Sequence, residues 1–202
     1  MSNKLPPKWV LASASKHRQR QLVSAGHSIQ AVPSDVPEDL WPNEGPSDRA
    51  QRLAQDKARA VAKACPDALV IGSDQVAHVQ GRILRKPGHI DAALEQLMAS
   101  QGRSVHFETA LHLCHPNGEH YSEVVTTEIE FLAFDAETAR RYLLLEQPFD
   151  AAGSFYSEAI GQWLIKAHRS DDPSAIIGLP MLALGRGLRH FGLDPLPPVP
   201  TA

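Results

Sequence analysis

The sequence predicts a single-domain α/β protein with a central mixed β-sheet flanked by helices, and three observations carry that expectation. Short apolar runs, Trp9 to Ala12 and Ala68 to Ile71, alternate with stretches of helical spacing, the order that produces parallel strand-helix units. Turn signals at Gln80-Gly81 and at Pro116-Asn117-Gly118 separate β-type stretches so closely that those strands must pair antiparallel. No Gly/Ser-rich or charged linker interrupts the 202 residues, so residues 1–194 are expected to form one domain and the Pro-rich stretch 195–202 a flexible tail.

Taken in order, Trp9 to Ala12 reads as a strand, Ser13-Ala14-Ser15 as a small-residue turn, and the segment carrying Leu22 and Val23 on one face as a helix. A second helix starts at Pro46 with Ser47 as its cap candidate, repeats Ala50, Leu53, Ala54, Ala58, Val61 and Cys65 at helical spacing, and ends at Pro66. The run Ala68 to Ile71 is a strand expected to stop at Gly72-Ser73-Asp74, which would leave a carboxylate at the mouth of a strand. Gln75 to Leu84 reads as a hairpin, and Lys86-Pro87 precede a helix with Leu94, Leu97 and Met98. Strands from Val105 to Leu113 and from Tyr121 to Phe134 are expected to pair. Asp135 then caps a helix reaching Glu146, and Pro180 opens a last one whose Leu184, Leu188 and Phe191 share a face before Gly192.

Composition narrows the function. With 43% hydrophobic and 21% charged residues the chain can bury a core, while its net charge of −3, with the signs interleaved, offers no cationic field for polymeric nucleic acid. Residues Met1 to Lys8 lack the apolar run of a secretory signal, and no stretch approaches the ~20 apolar residues of a membrane span. No membrane association and a cytoplasmic location are therefore expected. Cys65 and Cys114 lie in no CxxC or Cys/His ligand pattern and are expected to be buried thiols. The ten histidines form no HExxH or comparable signature, so no dedicated histidine-bound zinc is expected.

Several residues offer chemistry. Ser13 to Arg18 places hydroxyls, small residues and a cation at a helix start, where backbone N-H groups and the helix dipole favour anions. The same pattern also serves an ordinary N-cap followed by solvated cations. Asp74 at a strand end would face the ligand crevice of an α/β sheet, or merely cap the next turn. Lys86 and Lys57 are suited to neutralising a polyphosphate, and Lys57 interrupts a helical stripe near its apolar face. Glu158 follows the small-residue segment Ala151-Ala152-Gly153-Ser154, which lets backbone approach a ligand or simply turns a tight corner. A hard cation such as Mg²⁺, held by carboxylate and phosphate oxygens, suits this set better than a nitrogen-bound metal.

Four blocks together carry a resemblance: Leu11-Ala12-Ser13-Ala14-Ser15 with Arg18; Ile71-Gly72-Ser73-Asp74-Gln75-Val76; Lys86-Pro87; and Ala152-Gly153-Ser154-Phe155 through Ser157-Glu158, followed by Gly178-Leu179-Pro180. In order and spacing, from Trp9 to Gly192, the chain resembles the Maf family of nucleotide pyrophosphatases, in the branch that looks like 7-methyl-GTP pyrophosphatase. The resemblance implies hydrolysis of a nucleoside triphosphate to monophosphate and pyrophosphate, a mixed α/β fold with a deep substrate cleft, a divalent metal cation (Mg or Mn) and often a homodimer. It makes Asp74 the proton acceptor, and Ser13, Arg18, Glu38, Lys57 and Lys86 the lining of the phosphate and metal site, with Glu38 and Asp74 toward the metal. His17, Gln75 and Glu158 match positions that influence base choice. Gln19 stands where the family often has a second arginine, and Tyr156 where this branch often has lysine. Both departures bear on affinity and specificity more than on reaction type. Whether Asp74 takes the proton or chiefly holds the metal stays open at this level. So do two other activities: a nucleotide-binding regulator linked to cell division with little turnover, and a phosphatase that releases orthophosphate.

Overall fold

The strands form one seven-stranded sheet in the order β2-β1-β3-β5-β6-β7, with β4 attached to part of β3, in the computed structural model, which describes residues 7–197. β1 (Lys8–Leu11) runs parallel to β2 (Ile29–Ala31) and to β3 (Ala68–Val79). β4 (Arg82–Leu84), β5 (Ser104–Cys114), β6 (His120–Phe131) and β7 (Ile165–Ser170) pair antiparallel. The expected mixed sheet is present. Residues 198–202, most of the tail, lie outside the described residues; just before them Pro197 packs against Gly26.

The parallel connections carry α1 (Lys16–Ser24) and α2 (Pro46–Ala64), which cover opposite faces. Alternation along the strands separates two cores. Leu11, Leu69 and Ile71 pack with Leu22 of α1 and with Leu184 and Leu188 of α5 (Met181–His190), while Val10, Val70 and Ala68 pack with Ala58 and Val61 of α2. A third cluster, from Ala77, Phe107, Ile129 and Phe131, is closed by α3 (Ile90–Ser100) and α4 (Ala136–Glu146). Fully burying one such Leu, Ile or Phe contributes about 1.5–3 kcal/mol.

β3 is longer than its apolar run predicts. The strand does not stop at Gly72-Ser73-Asp74 but runs on to Val79, 12 residues in all, because β5 pairs with it continuously from Val70 opposite Cys114 to His78 opposite His106. On its other edge the partners are interrupted: β1 pairs only as far as Ile71, and β4 begins at Ala77. Between those points Asp74 sits in a break in the sheet rather than at a strand mouth. Gly72 has a steric duty here, since a Cβ would fall 2.2 Å from the Ala54 carbonyl oxygen and 2.7 Å from Ala58 Cβ. Its lack of a side chain lets α2 lie against the strand.

Other elements differ in detail. α2 is capped by Gly45 with Pro46 in its first turn, not by Ser47. Asp135 caps α4 as expected, accepting from the Thr138 N-H at 2.8 Å. α5 is capped from a distance: the buried Asp172 carboxylate accepts from the N-H groups of Leu182 (2.7 Å) and Ala183 (3.1 Å). β2 and β7 were not foreseen, and β6 ends at Phe131 rather than Phe134. Cys114 is buried, whereas Cys65, at the end of α2, is only half-buried. Among the described residues no helix is long and apolar enough to cross a membrane.

Candidate active site

The break in the sheet opens into a pocket of about 880 Å³ lined by the β1-α1 turn, β3, the segment after β4 and the 150–158 segment. The turn itself is braced by its hydroxyls. Ser13 Oγ accepts from the Ser15 N-H (3.1 Å) and from Arg18 Nη1 (3.3 Å), and Ser15 caps α1 by accepting from the Arg18 N-H. The Arg18 guanidinium ties the turn to the rest of the molecule, with Nη1 donating to the Ser73 carbonyl and Nε to the Gly178 carbonyl, both at 2.8 Å. Ser73 Oγ donates to the same Gly178 oxygen at 2.8 Å. Gly178 has φ +121°, and a Cβ there would press on Arg18 Nε at 3.3 Å. Burial lowers the pKa of Arg18, while the carboxylates of Asp74 and Glu38 pull it back up.

Asp74 points to the α2 face. Lys57, one face of α2 with Arg49 and Leu53, donates from Nζ to Asp74 Oδ1 and to Glu38 Oε1, both at 2.6 Å. Lys57 and Asp74 are 9% and 8% exposed, whereas the Glu38 side chain is 55% exposed, so the group runs from the interior to the pocket mouth. Burial alone would raise the Glu38 carboxyl, but Lys57, Lys86 and Arg49 hold it below its ordinary range. The loop carrying Glu38 is clamped to α2. Arg49 donates to the carbonyls of Glu38 and Asp39, and Arg52, stacked on Trp41 at 4.2 Å, grips Glu44 with two N-H groups. Lys86 is exposed on the pocket wall.

Two carboxylates converging on one ammonium form a hard oxygen donor set of the chemistry a divalent cation would take, with the pocket open on its outer side. Lys57 stands where part of that positive charge would lie.

At the other end of the pocket, His17 and Tyr156 stack at a tilt with ring centroids 5.1 Å apart. Burial and the Asp150 carboxylate push the Tyr156 phenol well above its usual range, and it donates to Asp150. Both rings also line a side depression of about 450 Å³ shared with Arg20, Glu146 and Glu158. Glu158 is exposed and starts the 3-10 turn Ala159–Leu164 without accepting a capping hydrogen bond. Gln75 points to the opposite side of β3 from Asp74. Its Nε2 donates to Thr109 Oγ1 and to the carbonyls of Ala175 and Ile176.

The structure thus gathers Ser13, Arg18, Glu38, Lys57, Asp74 and Lys86 at one end of a single pocket, with His17, Gln75 and Glu158 on its walls. Sequence reasoning passed over Arg49, although its place two turns before Lys57 on the same buried stripe was the available signal. It also passed over Glu146, which lines the same side depression as Glu158 only because irregular turns without periodicity bring that segment round.

Residues 8–191 match the family described as Maf-like protein. A Bordetella pertussis protein named 7-methyl-GTP pyrophosphatase is 43% identical over 192 residues, covering 95% of this chain and 96% of that protein. An Aromatoleum aromaticum protein of the same name is 45% identical over 187 residues, covering 92% of this chain and 96% of its own length. Among solved structures, a nucleoside-triphosphatase (dITP/XTP pyrophosphatase) from Mycobacterium abscessus superposes with a TM-score of 0.41 and 19% identity, over 61% of this chain and 74% of that one.

Proposed function

Because this chain belongs to the Maf-like protein family, we propose that it hydrolyses nucleoside triphosphates between the α- and β-phosphates, releasing monophosphate and pyrophosphate, with 7-methyl-GTP as its preferred substrate. The names of its relatives support this reading. The observation that carries it is the Lys57 ammonium, held 2.6 Å from both Asp74 and Glu38 beside the turn that Arg18 braces.

In this reading the triphosphate lies along the break in the sheet. The N-terminus of α1 and the cations of Lys57 and Lys86 receive its oxygens. Asp74 accepts a proton from water as the water oxygen bonds to the α-phosphorus. The bond from that phosphorus to the bridging oxygen breaks, and pyrophosphate leaves with the electron pair. Lys57, 2.6 Å from Oδ1, holds the Asp74 carboxylate in place until it takes the proton. A Mg²⁺ or Mn²⁺ ion held by Glu38 and Asp74 supplies, when bound, charge neutralisation on the phosphates and stabilisation of the leaving group.

The base lies toward His17, Tyr156 and Glu158. Guanine offers N1-H and its 2-amino group as adjacent donors, which the Glu158 carboxylate accepts together. Methylation at N7 makes the base cationic, and an aromatic face at Tyr156 attracts a cation where a lysine would repel it. Reaction in ¹⁸O-water tests the proposal: the label should enter the monophosphate, with pyrophosphate as the first product. Label in pyrophosphate, or orthophosphate released first, would overturn it, and tight nucleotide binding with no turnover would favour a regulatory protein.

A further inference from the structure

The hairpin formed by β5 and β6 brings together three residues that no motif linked. One ring nitrogen of His112, the Cys114 sulfur and one ring nitrogen of His120 lie within 4.8 Å of one another. Register explains the meeting: His112 and Cys114 are two apart on β5 and so share a face, and Cys114 lies directly opposite His120 on β6. None of the three lines the pocket that holds Asp74.

His112 is 2% exposed, and its Nε2 is buried without any hydrogen-bond partner, an arrangement that leaves a desolvated polar atom uncompensated. Its other nitrogen, Nδ1, sits 2.6 Å from Ser122 Oγ. A ring that donates from Nδ1 to an oxygen presents a lone pair at Nε2, which is how ligating histidines are held by their outer shell. The His112 and His120 rings stack with centroids 5.5 Å apart, and His120 is exposed, giving an ion a path from solvent. Cys114 is buried, and a ligating thiol gives up its proton on binding a metal ion.

We propose that His112 Nε2, Cys114 Sγ and His120 form a second metal site, distinct from the carboxylate pair, that takes a borderline transition-metal ion, Zn²⁺ foremost. Two imidazoles and a thiolate are a zinc donor set, with water filling the fourth tetrahedral position. Mg²⁺, which prefers six oxygens, is excluded by the same chemistry. The ligands follow no signature spacing and converge only through the hairpin register, so no motif discloses the site. The ion would cross-link β5 to β6 and favour the folded chain by mass action.

Titration of the chelator-treated, full-length protein with Co²⁺ alone tests the proposal, since a thiolate ligand produces a sulfur-to-cobalt charge-transfer band that carboxylates do not. One equivalent should produce the band, and Zn²⁺ should displace it. Cys114→Ser should abolish the band and Cys65→Ser should keep it. His120→Ala, at an exposed position, should weaken affinity by at least the ~10- to 100-fold typical of losing even an outer-shell partner, and Ser122→Ala should weaken it while retaining the band. Mg²⁺-supported triphosphate turnover should be unchanged in His120→Ala. No band in the wild type, a band surviving Cys114→Ser, or unaltered affinity in His120→Ala would overturn the site. Turnover falling in His120→Ala would overturn its independence from the pocket.

Discussion

The two ends of the pocket are built differently. At the phosphate end the two buried side chains project from regular elements, Asp74 from a 12-residue strand and Lys57 from a 19-residue helix, and are paired to one another inside the protein, with Glu38 added from a loop. At the base end Tyr156 and Glu158 lie between two 3-10 turns, Ala152–Ser154 and Ala159–Leu164, and Glu158 is exposed. In the proposed function, the buried charges that serve the chemistry are fixed by strand and helix geometry, and the groups proposed to select the base ride on a segment whose shape depends on a few turns, where substitutions would redirect choice without dismantling the catalytic group.

Breaking the rigid end should have the largest effect. Asp74→Asn preserves shape and leaves Lys57 paired with Glu38, so the protein should fold while turnover falls about 10²- to 10⁴-fold, the range for a lost general base. Near-normal steady-state rates on 7-methyl-GTP would remove Asp74 from its role. Gly72→Ala acts one step back, through packing: the Cβ meets the Ala54 carbonyl oxygen at 2.2 Å and must push α2 off the sheet. Urea unfolding should show a loss of at least the ~1–3 kcal/mol of ordinary overpacking, with turnover reduced as Lys57 moves away from Asp74. Full stability in that variant would show that α2 is not seated by Gly72.

At the selective end, Glu158→Gln should reduce kcat/KM discrimination for 7-methyl-GTP over UTP by about 1–3 kcal/mol and change the pyrimidine rate far less. Equal losses on both nucleotides would transfer Glu158 to the phosphate end and erase the comparison. The smallest effect concerns the clamp on the Glu38 loop. The Arg52 hydrogen bond holds the Glu44 carboxyl below its ordinary value, so folding gains from this pair above the unfolded carboxylate pKa of ~4.3 and loses that gain as pH falls through the lower folded value. Thermal melts of the wild type and Glu44→Gln should differ by about 1 kcal/mol or less at neutral pH and converge in acid. A difference that persists or grows in acid would contradict the clamp.

The same contrast governs what the sequence disclosed. Helical spacing in α2, the Gln80-Gly81 turn and the Asp135 cap rest on contacts within a few residues, and each stands in the structure as read. Asp74 was singled out for the wrong local reason, because Gly72-Ser73 resembles a strand end although Gly72 is there for the helix above it. The alternation in β7, Ile165-Lys166-Ala167-His168, is too brief to stand out from a loop, and the Asp172 cap lies ten residues before the amide it serves. Lys57 and Lys86 were picked out as cations, but the meeting of Lys57 with Glu38 needed the fold, since Glu38 arrives on a loop without periodicity. The ten histidines were set aside together for want of a signature and Cys114 was expected to be a buried thiol, because strand pairing, which spacing does not encode, is what groups His112, Cys114 and His120.

Arg18 joins three parts of the chain, since its partners Ser73 and Gly178 lie 55 and 160 positions away, and Ser73 in turn reaches Gly178 across 105. Closing loops of that length is slow relative to local contacts. Glu38, Lys57 and Asp74 all belong to the first half of the polypeptide, but the pocket wall from Asp150 to Gly178 belongs to the second, so the pocket closes only when that wall arrives. During refolding, nucleotide hydrolysis should return only with the last, global step and show no early burst while helices are already formed. Catalytic competence in this protein is a late reporter of complete topology, set by one guanidinium that waits for the far end of the chain.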